Sequence, residues 1–265
     1  MSKKVAIVTG GTSGIGRATA LALQEHGYTV YELSRRAEGM PDIRHIVADI
    51  TKEETLQAAV EQVLAVEGRL DLVVNNAGFG ISGAIEFTDT QEAQRLFDTL
   101  FFGMVRMNRC VIPLMRQQGH GRIVNISSVA APVPIPFQAY YSAGKAAINA
   151  YTMALANELR PFGVTVCAVM PGDIKTGFTA ARHKIIDGDD IYQGRIGRSV
   201  QRMEHDEQTG MDPAKVGRYI AAVASREGSH HPLYATRIDY KFFVFLTKVL
   251  PARFLNWLIY QLYGK

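Results

Sequence analysis

Short apolar runs rich in β-branched residues alternate along the chain with longer segments of helical periodicity. The short runs predict buried strands over residues 5–9, 29–34, 43–48, 70–75, 122–126 and 164–169. The segments between them predict helices over residues 15–25, 52–66, 90–115 and 141–159. This alternation is typical of βαβ units, in which a helix connects two parallel strands. We therefore expect an α/β fold, a doubly wound parallel sheet with helices on both faces.

Glycine and proline positions agree with these boundaries. Gly27, Gly68 and Gly119 each follow a predicted helix, where a left-handed residue commonly ends the helix. Asp212 and Pro213 predict the start of a further helix, with Asp as the N-cap and Pro at the first helical position.

The chain of 265 residues shows no repeat, low-complexity tract or linker, so we expect one domain over residues 1–265. Residues 177–210 are polar, carry mixed charge and show little periodicity. They predict a long loop or mobile helical segment, and long loops in compact enzymes are often lids over the substrate.

Composition limits which binding partners and which cellular compartment are expected. The net charge of +4 is scattered rather than gathered into a basic run, which disfavours a nucleic-acid partner and is compatible with a phosphate-bearing cofactor. The two cysteines lie in apolar stretches and the N-terminus has no signal-peptide pattern, so we expect a cytoplasmic protein. The seven histidines show no metal-ligand spacing, and we expect no metal.

A glycine-rich segment directly follows the first predicted strand and opens the first predicted helix. Gly10, Gly14 and Gly16 lack side chains, so backbone N–H groups can approach a pyrophosphate, assisted by the helix dipole. Their spacing is Gly-x-x-x-Gly-x-Gly rather than Gly-x-Gly-x-x-Gly. The predicted dinucleotide contacts in this segment are Thr9, Gly10, Thr12, Ser13, Gly14, Ile15 and Gly16.

The end of the second predicted strand bears on the choice between NAD and NADP. An acid there would bind the ribose hydroxyls and repel a 2′-phosphate, but Ser34 occupies the position. Arg35 and Arg36 follow, and guanidinium groups match phosphate oxygens. NADP is therefore favoured. Glu32 lies within the spacing range of a ribose-binding acid and keeps NAD as the alternative.

Three further residues suit carbonyl chemistry. Lys145 lies four residues after Tyr141, so both occupy one helix face, and a cation about 4 Å away would lower the pKa of a tyrosine from about 10. Tyr141 would then act as general acid or base. Ser128 follows the fifth predicted strand and would bind the substrate oxygen, with Ser127 and Tyr140 as competitors for the two hydroxyl positions.

With these motifs in the same order, the chain resembles the short-chain dehydrogenase/reductase family over roughly residues 3–180. The resemblance implies a Rossmann-type sheet and hydride transfer between nicotinamide and a carbonyl or secondary alcohol. It places Asp49 at the adenine, Asn76, Ala77 and Gly78 along the cofactor cleft, Lys145 also at the nicotinamide ribose, and Ile174 and Thr176 near the carboxamide. Together with the residues at the end of the second strand, the further predicted cofactor contacts are Ser34, Arg35, Arg36, Asp49, Ile50, Asn76, Ala77, Gly78, Tyr141, Lys145, Pro171, Gly172, Ile174 and Thr176.

Two positions depart from the family pattern. Leu100 stands where the family usually has an asparagine that helps to order a proton-relay water, and leucine can neither donate nor accept a hydrogen bond. Gly144 stands beside the lysine, where a small hydroxyl residue is common, and glycine within a helix costs about 1 kcal/mol relative to alanine.

Apolar residues crowd the expected substrate region, which predicts a bulky lipophilic ketone or alcohol. They are Phe79, Ile81, Val133, Ile135, Phe137, Met170 and Phe178. The segments 103–107 and 136–137 are similar to family members acting on steroids or retinoids, so a steroid-like, retinoid-like or lipid substrate is expected. Ordinary core and lid packing is the alternative interpretation of these side chains.

Residues 240–265 form an apolar C-terminal extension that departs from the short terminus usual in the family. It could cover the pocket, contact another subunit or lie on a membrane surface beside Lys241, Lys248 and Arg253. Packing within the protein or oligomer is favoured over peripheral membrane contact. The family resemblance suggests a homodimer or homotetramer.

The leading hypothesis is an NADP-dependent oxidoreductase in which Ser128, Tyr141 and Lys145 are catalytic. The alternative, motivated by Leu100 and the unusual extension, is a dinucleotide-binding regulator or scaffold without turnover.

Overall fold

The computed structural model describes residues 3–226 and 231–265. The strands in this part of the chain are β1 (Val5–Thr9), β2 (Thr29–Ser34), β3 (Arg44–Val47), β4 (Leu72–Asn75), β5 (Ile81–Ser82), β6 (Gly121–Ile126), β7 (Val164–Met170), β8 (His183–Lys184) and β9 (Leu233–Ala235). Seven of them form a parallel sheet in the order β3-β2-β1-β4-β6-β7-β9, and β5 pairs with β8 in a separate small sheet. From β1, the chain adds β2 and β3 on one side of the sheet and then β4 and the later strands on the other side. Sheets of this type bind ligands at this switch point, between β1 and β4.

The helices in the same part of the chain are α1 (Gly14–Glu25), α2 (Glu53–Glu67), α3 (Thr90–Phe97), α4 (Gly103–Gln118), α5 (Ala139–Leu159), α6 (Phe178–Ala181), α7 (Arg195–Gln208), α8 (Pro213–Ser225), α9 (Ile238–Val249) and α10 (Ala252–Ile259). Asp212 caps α8 by accepting a 2.9 Å hydrogen bond from the Ala214 N–H, as the Asp-Pro pair predicts. Gly68 and Gly119 end α2 and α4 in the left-handed conformation, as expected.

Side chains of each strand alternate between two apolar layers. In β1, Ala6 and Val8 face one cluster, which includes Leu23 of α1 and Ile220 of α8. Val5 and Ile7 face the opposite cluster, which contains residues of α2, α4 and α5. Strands covered on both faces are apolar throughout, which is why they appear in the sequence as continuous runs. The predicted doubly wound α/β domain of Rossmann type is confirmed.

The segment predicted as one helix over residues 90–115 is interrupted. A π-helical stretch, Asp98–Phe102, separates α3 from α4 and carries Leu100 into the interior. Such bulges inside helices are frequent at functional sites. Leu100, within this stretch, lies against Gly78, which follows β4, and against Gly144 of α5.

The segment predicted as a long loop or mobile helical segment over residues 177–210 contains regular structure. It comprises α6, β8 and the fourteen-residue helix α7. Ile196, Val200 and Met203 of α7 are buried against Phe137 and Ala84. The segment thus packs over the loops that follow β4 and β6, although whether it moves as a lid stays a prediction.

Candidate active site

The glycine segment between β1 and α1 adopts a backbone that only glycine accommodates easily. Gly10 and Gly14 have φ values of 66° and 53°, in the left-handed region. A Cβ on Gly16 would lie 2.3 Å from the Gly10 carbonyl oxygen, so that position also excludes a side chain. Within the described chain, the Ser13 side chain does not cap α1, which leaves the first-turn N–H groups for an anion.

The loop after β4 is fastened to the end of β1. Thr9 Oγ1 accepts hydrogen bonds from the N–H groups of Asn76 (3.0 Å) and Ala77 (3.1 Å). The Asn76 amide donates in return to the Thr9 carbonyl oxygen at 3.1 Å. These bonds hold the two loops together at the switch point and shape one wall of a cleft of about 1180 Å³. The size and the glycine cradle fit a dinucleotide together with a second ligand.

The cleft brings together almost every residue that the sequence assigns to the cofactor. Gly16 is the exception, because it packs on Gly10 and the Asn76 amide behind the cleft wall. The predicted cofactor contacts that line the cleft are Thr9, Gly10, Thr12, Ser13, Gly14, Ile15, Ser34, Arg35, Arg36, Asp49, Ile50, Asn76, Ala77, Gly78, Tyr141, Lys145, Pro171, Gly172, Ile174 and Thr176.

At the end of β2 the two arginines are exposed on the cleft and Glu32 is not part of its lining. The Glu32 side chain is fully buried and hydrogen-bonded to His45 Nδ1. Its Cβ lies 2.5 Å from where a Cβ on Gly11 would stand, so the carboxylate is enclosed beneath the glycine loop. Burial raises the pKa of Glu32, and the His45 contact opposes that shift. Ser34, Arg35 and Arg36 form the cleft surface there.

Asp49 follows β3 at the same end of the cleft. Its Oδ1 accepts hydrogen bonds from the Thr51 N–H at 3.0 Å and the Thr51 hydroxyl at 2.8 Å. Burial raises the pKa of Asp49, but the Thr51 hydrogen bonds and the charge of Arg35 outweigh it, and the pKa is lowered overall. The carboxylate is therefore a fixed acceptor at the predicted adenine position.

Ser128, Tyr141 and Lys145 line the other end of the cleft. Ser128 lies beyond β6, and its Oγ accepts a 3.1 Å hydrogen bond from the Ala130 N–H. The competing Ser127 hydroxyl donates instead to the Lys145 carbonyl oxygen at 3.0 Å and fastens β6 to α5. Both adjacent tyrosines pack on the cluster of Leu96 and Leu100, but Tyr141 lines the cleft and Tyr140 does not. The geometry thus favours Ser128 and Tyr141 over their competitors.

The expected electrostatic relation between Tyr141 and Lys145 differs from the structure. Burial raises the pKa of Tyr141 to about 12, against smaller lowering effects of a Ser128 hydrogen bond and the charge of Arg182. Burial also lowers the pKa of Lys145 to about 7. The Lys145 Nζ lies 5.6 Å from the Tyr141 ring centroid and donates a 2.7 Å hydrogen bond to the Ile126 carbonyl oxygen. The expected net lowering of the Tyr141 pKa is therefore not found in the structure, where burial has the largest effect, and the contribution of Lys145 beside a bound nucleotide stays a prediction.

The two departures from the family pattern lie side by side. Leu100 is buried, and a Cβ on Gly144 would stand 3.5 Å from one of its methyl groups. A Cβ on Gly78 would stand only 2.4 Å from the other methyl. The leucine therefore fills the space between β4 and α5 where the family pattern places a polar side chain, and both glycines leave room for it.

Beneath Leu100 lies a buried amide network that the sequence interpretation missed. The Asn75 amide donates to the side-chain oxygens of Asn108 (2.8 Å) and Asn125 (2.9 Å). The Asn125 amide donates to the Thr152 hydroxyl at 2.9 Å. Asparagines within otherwise apolar strands and helices were the available signal. The network ties β4, β6, α4 and α5 together next to the residues predicted to be catalytic.

A buried ion pair, which the sequence interpretation also missed, lies behind the end of the cleft that contains Tyr141. The Phe178 ring lies 5.7 Å from the Tyr141 ring and 5.6 Å from the Arg182 guanidinium. The Arg182 side chain is fully buried and pairs with Glu207 of α7, whose second oxygen accepts a 2.6 Å hydrogen bond from Thr179. Sequence distance hides this pair, because its members are twenty-five positions apart.

Of the seven apolar residues expected at the substrate, Phe79, Ile135 and Phe178 line the cleft. Ile81, Phe137 and Met170 are buried in the core behind it, and Val133 is half-buried outside the lining. Among the described residues, no group of three or more His, Cys, Asp or Glu side chains could hold a metal ion. No helix of the described chain is long and apolar enough to cross a bilayer.

A parallel doubly wound sheet, a glycine cradle at its switch point and a Ser-Tyr-Lys set at the cleft define an oxidoreductase built on a dinucleotide-binding fold. The family model for short chain dehydrogenase matches residues 4–185. The chain belongs to the short-chain dehydrogenase/reductase family.

Among its relatives is a 3-ketodihydrosphingosine reductase from Bacteroides thetaiotaomicron, 38% identical over 261 residues, or 97% of this chain and 94% of the relative. A short-chain dehydrogenase from Streptomyces avermitilis has a similar structure, with a TM-score of 0.82 and 34% identity over 92% of each chain.

Two further solved structures carry different nucleotides. A 3-ketoacyl-(acyl-carrier-protein) reductase from Brucella melitensis, complexed with NADH, matches with a TM-score of 0.74 and 28% identity over 88% of this chain and 96% of that one. ElxO with NADP bound matches with a TM-score of 0.75 and 25% identity over 91% and 99%. Structural neighbours thus bind either nucleotide.

Proposed function

We propose that the protein reduces the ketone of a long-chain lipophilic substrate with NADPH as the hydride donor. The observation that carries this proposal is the common cleft, in which Ser128 and Tyr141 lie at one end and Arg35 and Arg36 at the other. When bound there, the nicotinamide supplies or accepts the hydride.

The preference for NADP(H) is supported by the charge at the end of β2. Arg35 and Arg36 are exposed on the cleft, and guanidinium groups suit a 2′-phosphate. Glu32, the rival ribose acceptor, is enclosed with His45 beneath the glycine loop. A buried carboxylate whose pKa is raised is a poor partner for a ribose hydroxyl in the cleft.

The proposed proton chemistry uses the chain's own hydroxyls. Because its pKa is raised to about 12, Tyr141 remains protonated near neutral pH and can donate to the oxygen of a carbonyl that is being reduced. Ser128 lies beside it as a second hydrogen-bonding group for the same oxygen. Lys145, with a pKa of about 7, can hold or release a proton at neutral pH next to the Ile126 carbonyl.

The proposed substrate class combines an apolar body with a polar end. Phe79, Ile135 and Phe178 give the cleft apolar walls. Asp173 and Glu207 place carboxylates on the same lining, which would suit an amine next to the ketone. A 3-keto sphingoid base, the class named for the Bacteroides thetaiotaomicron relative, has a long alkyl chain, an amine on the carbon next to its ketone and a hydroxyl one carbon further on.

The alternative is a nucleotide-binding regulator without turnover, which Leu100 favours because it puts an apolar side chain at the relay position. The test is oxidation of NADPH and NADH in the presence of ketones graded by chain length and by the presence of an amine, including 3-ketodihydrosphingosine. We expect NADPH consumption to be fastest with long amino ketones and absent in Tyr141→Phe. Nucleotide binding without consumption for every ketone would favour the regulator instead.

A further inference from the structure

The C-terminal extension is fastened to the catalytic domain along one side. The Tyr240 hydroxyl accepts a 3.0 Å hydrogen bond from the Asp173 N–H, and its ring fills the space where a Cβ on Gly172 would stand. At the other end, the Tyr263 hydroxyl donates to Asp206 at 2.9 Å, and Arg195 of α7 donates to the Gly264 carbonyl oxygen. These contacts fix α9 and α10 against the cofactor loop and α7.

The other side of the extension is apolar and exposed. Ile238, Phe242, Phe245 and Val249 recur at intervals of four, three and four residues, so they form one stripe along α9. Their exposed fractions are 84%, 58%, 56% and 55%. On α10, Phe254 stacks with Trp257, which is 55% exposed. Neither helix contributes a buried residue to the described structure, which is unusual for such apolar sequences.

Cations border these apolar stripes. Lys241 and Lys248 are exposed and lie seven residues apart on α9, next to the Ile238–Phe245 side of the stripe, and Arg253 precedes Phe254. Residues 238–265 contain four Lys and Arg residues and a single acid, Asp239, which pairs with Arg237. Within the described part of the chain, Lys241, Lys248 and Arg253 form no ion pair with an acid.

From this combination we infer that α9 and α10 form a docking surface for an anionic phospholipid bilayer. The apolar stripe of α9 and the Phe254–Trp257 pair of α10 would lie at the boundary between the headgroups and the acyl chains. Aromatic residues partition to that depth, and neighbouring Lys and Arg are attracted to anionic headgroups. A second copy of the chain is a poorer occupant, because a symmetric contact through this surface would oppose lysine to lysine.

Docking would also bring the cleft to the lipid. Tyr240 contacts Asp173, a cleft residue, so a bilayer under α9 lies close to the cleft rim. This consequence rests on the proposed function, since it matters only for a substrate that resides in the membrane. The docking surface itself rests only on the exposed stripe and its cations.

The test uses Trp257, which is the single tryptophan of the chain. The full-length protein is mixed with vesicles of phosphatidylcholine alone or of phosphatidylcholine with phosphatidylglycerol, in the absence of substrate. Tryptophan emission and co-sedimentation with the vesicles are then measured. We expect a blue shift and sedimentation with the anionic vesicles, and clearly weaker binding to the neutral ones.

Two pairs of variants probe the two parts of the surface. Phe242→Ser with Phe245→Ser removes the centre of the stripe, and Lys241→Glu with Lys248→Glu reverses its charge. Either pair is expected to weaken vesicle binding at least about tenfold. Matched controls elsewhere are Val66→Ser, an exposed apolar position, and Lys215→Glu with Arg218→Glu on α8, which are expected to bind as the wild type does.

Absence of vesicle binding by the wild type, or equal weakening by the control substitutions, would overturn the inference. A blue shift that grows with protein concentration without lipid, together with a dimer that Phe242→Ser with Phe245→Ser abolishes, would assign the surface to a second copy instead. Turnover of a short, water-soluble ketone is expected to be unchanged in the stripe variants. Failure of the wild type to consume NADPH with any ketone, long-chain amino ketones included, would count against the proposed function and leave the vesicle result unaffected.

Discussion

The side-chain nitrogen of Lys145 donates a 2.7 Å hydrogen bond to the backbone carbonyl oxygen of Ile126, and the lysine is almost completely buried. One carbonyl acceptor does not compensate for the loss of hydration of an ammonium group. The lysine therefore titrates near neutrality, with a pKa of about 7, and this has a measurable consequence for folding.

Stability without nucleotide is expected to depend on pH through Lys145. The folded pKa is about 7 and the unfolded value is 10.5, so between these values the unfolded chain binds more protons. The free energy of unfolding therefore rises with pH in this window, by up to about 1.4 kcal/mol for each unit of pH. Lys145→Met lacks this dependence. Urea denaturation of both proteins at several pH values, followed by far-UV circular dichroism, measures the difference, and parallel pH curves would contradict the assignment.

Removal of the Tyr141 hydroxyl is expected to abolish proton donation while leaving nucleotide binding intact. For Tyr141→Phe we expect kcat with a ketone substrate to fall roughly 10²- to 10⁴-fold. The dissociation constant for NADPH should change by less than about threefold, because the ring and its contact with Phe178 remain. Tyr140→Phe is the matched control and should retain activity. Comparable losses in both variants would show that the cleft, rather than the hydroxyl, had been disturbed.

Cofactor discrimination is expected to depend on the two cleft arginines. Arg35→Ser with Arg36→Ser should raise the KM for NADPH roughly tenfold or more, since charge-assisted hydrogen bonds to the 2′-phosphate are lost. The KM for NADH should stay within about twofold. Lys215→Ser with Arg218→Ser removes the same charge from an exposed part of α8 and serves as control. An equal rise for both nucleotides in the Arg35 and Arg36 variant would argue against recognition of the phosphate.

Leu100 and Gly78 are expected to be energetically coupled. A Cβ at residue 78 would stand 2.4 Å from a Leu100 methyl, so Gly78→Ala should destabilise the protein by about 1–3 kcal/mol. In a Leu100→Ala background the same change should be less destabilising, because the methyl is absent. A double-mutant cycle from urea denaturation gives the coupling energy. Strictly additive effects would mean that Gly78 is required by its backbone alone.

Arg182 contacts the Phe178 ring, which in turn contacts Tyr141, and its charge is expected to favour proton donation by Tyr141. The positive charge of Arg182 lowers the tyrosine pKa and Glu207 raises it. Arg182→Met alone leaves the carboxylate unpaired, so we expect kcat for reduction to fall roughly tenfold and stability to fall by about 3–5 kcal/mol. Combining it with Glu207→Gln should recover much of both losses. If the combined variant is as slow as the single one, the guanidinium acts through packing and not through charge.

The sequence predicted the strands and helices that are long enough for burial to leave a regular pattern of apolar residues. Strands covered on both faces are continuous apolar runs, so six strands of the sheet, β1 to β4, β6 and β7, could be predicted from the sequence. β9 has only three residues and β5 and β8 two each, which is too short for any periodicity. The helix α7 could have been found, because its buried residues Ile196, Val200 and Met203 are spaced by four and three.

The site was predictable in its residues but not in its electrostatics. Glycine spacing and the Tyr-Lys interval indicate the backbone cradle and a shared helix face. The direction of the Tyr141 pKa shift depends on how completely tertiary packing excludes water, which spacing does not encode. The π-helical turn that buries Leu100 and the Arg182–Glu207 pair likewise arise from contacts between distant segments.

The position of Trp257 has a consequence for how unfolding is observed. The only indole of the chain lies on α10, whose residues are all outside the buried core, while the sheet contains none. Fluorescence during denaturation therefore reports detachment of the extension, and circular dichroism reports loss of the sheet and its helices. If α9 and α10 separate at lower urea than the parallel sheet unfolds, the two optical signals will give different midpoints for one polypeptide.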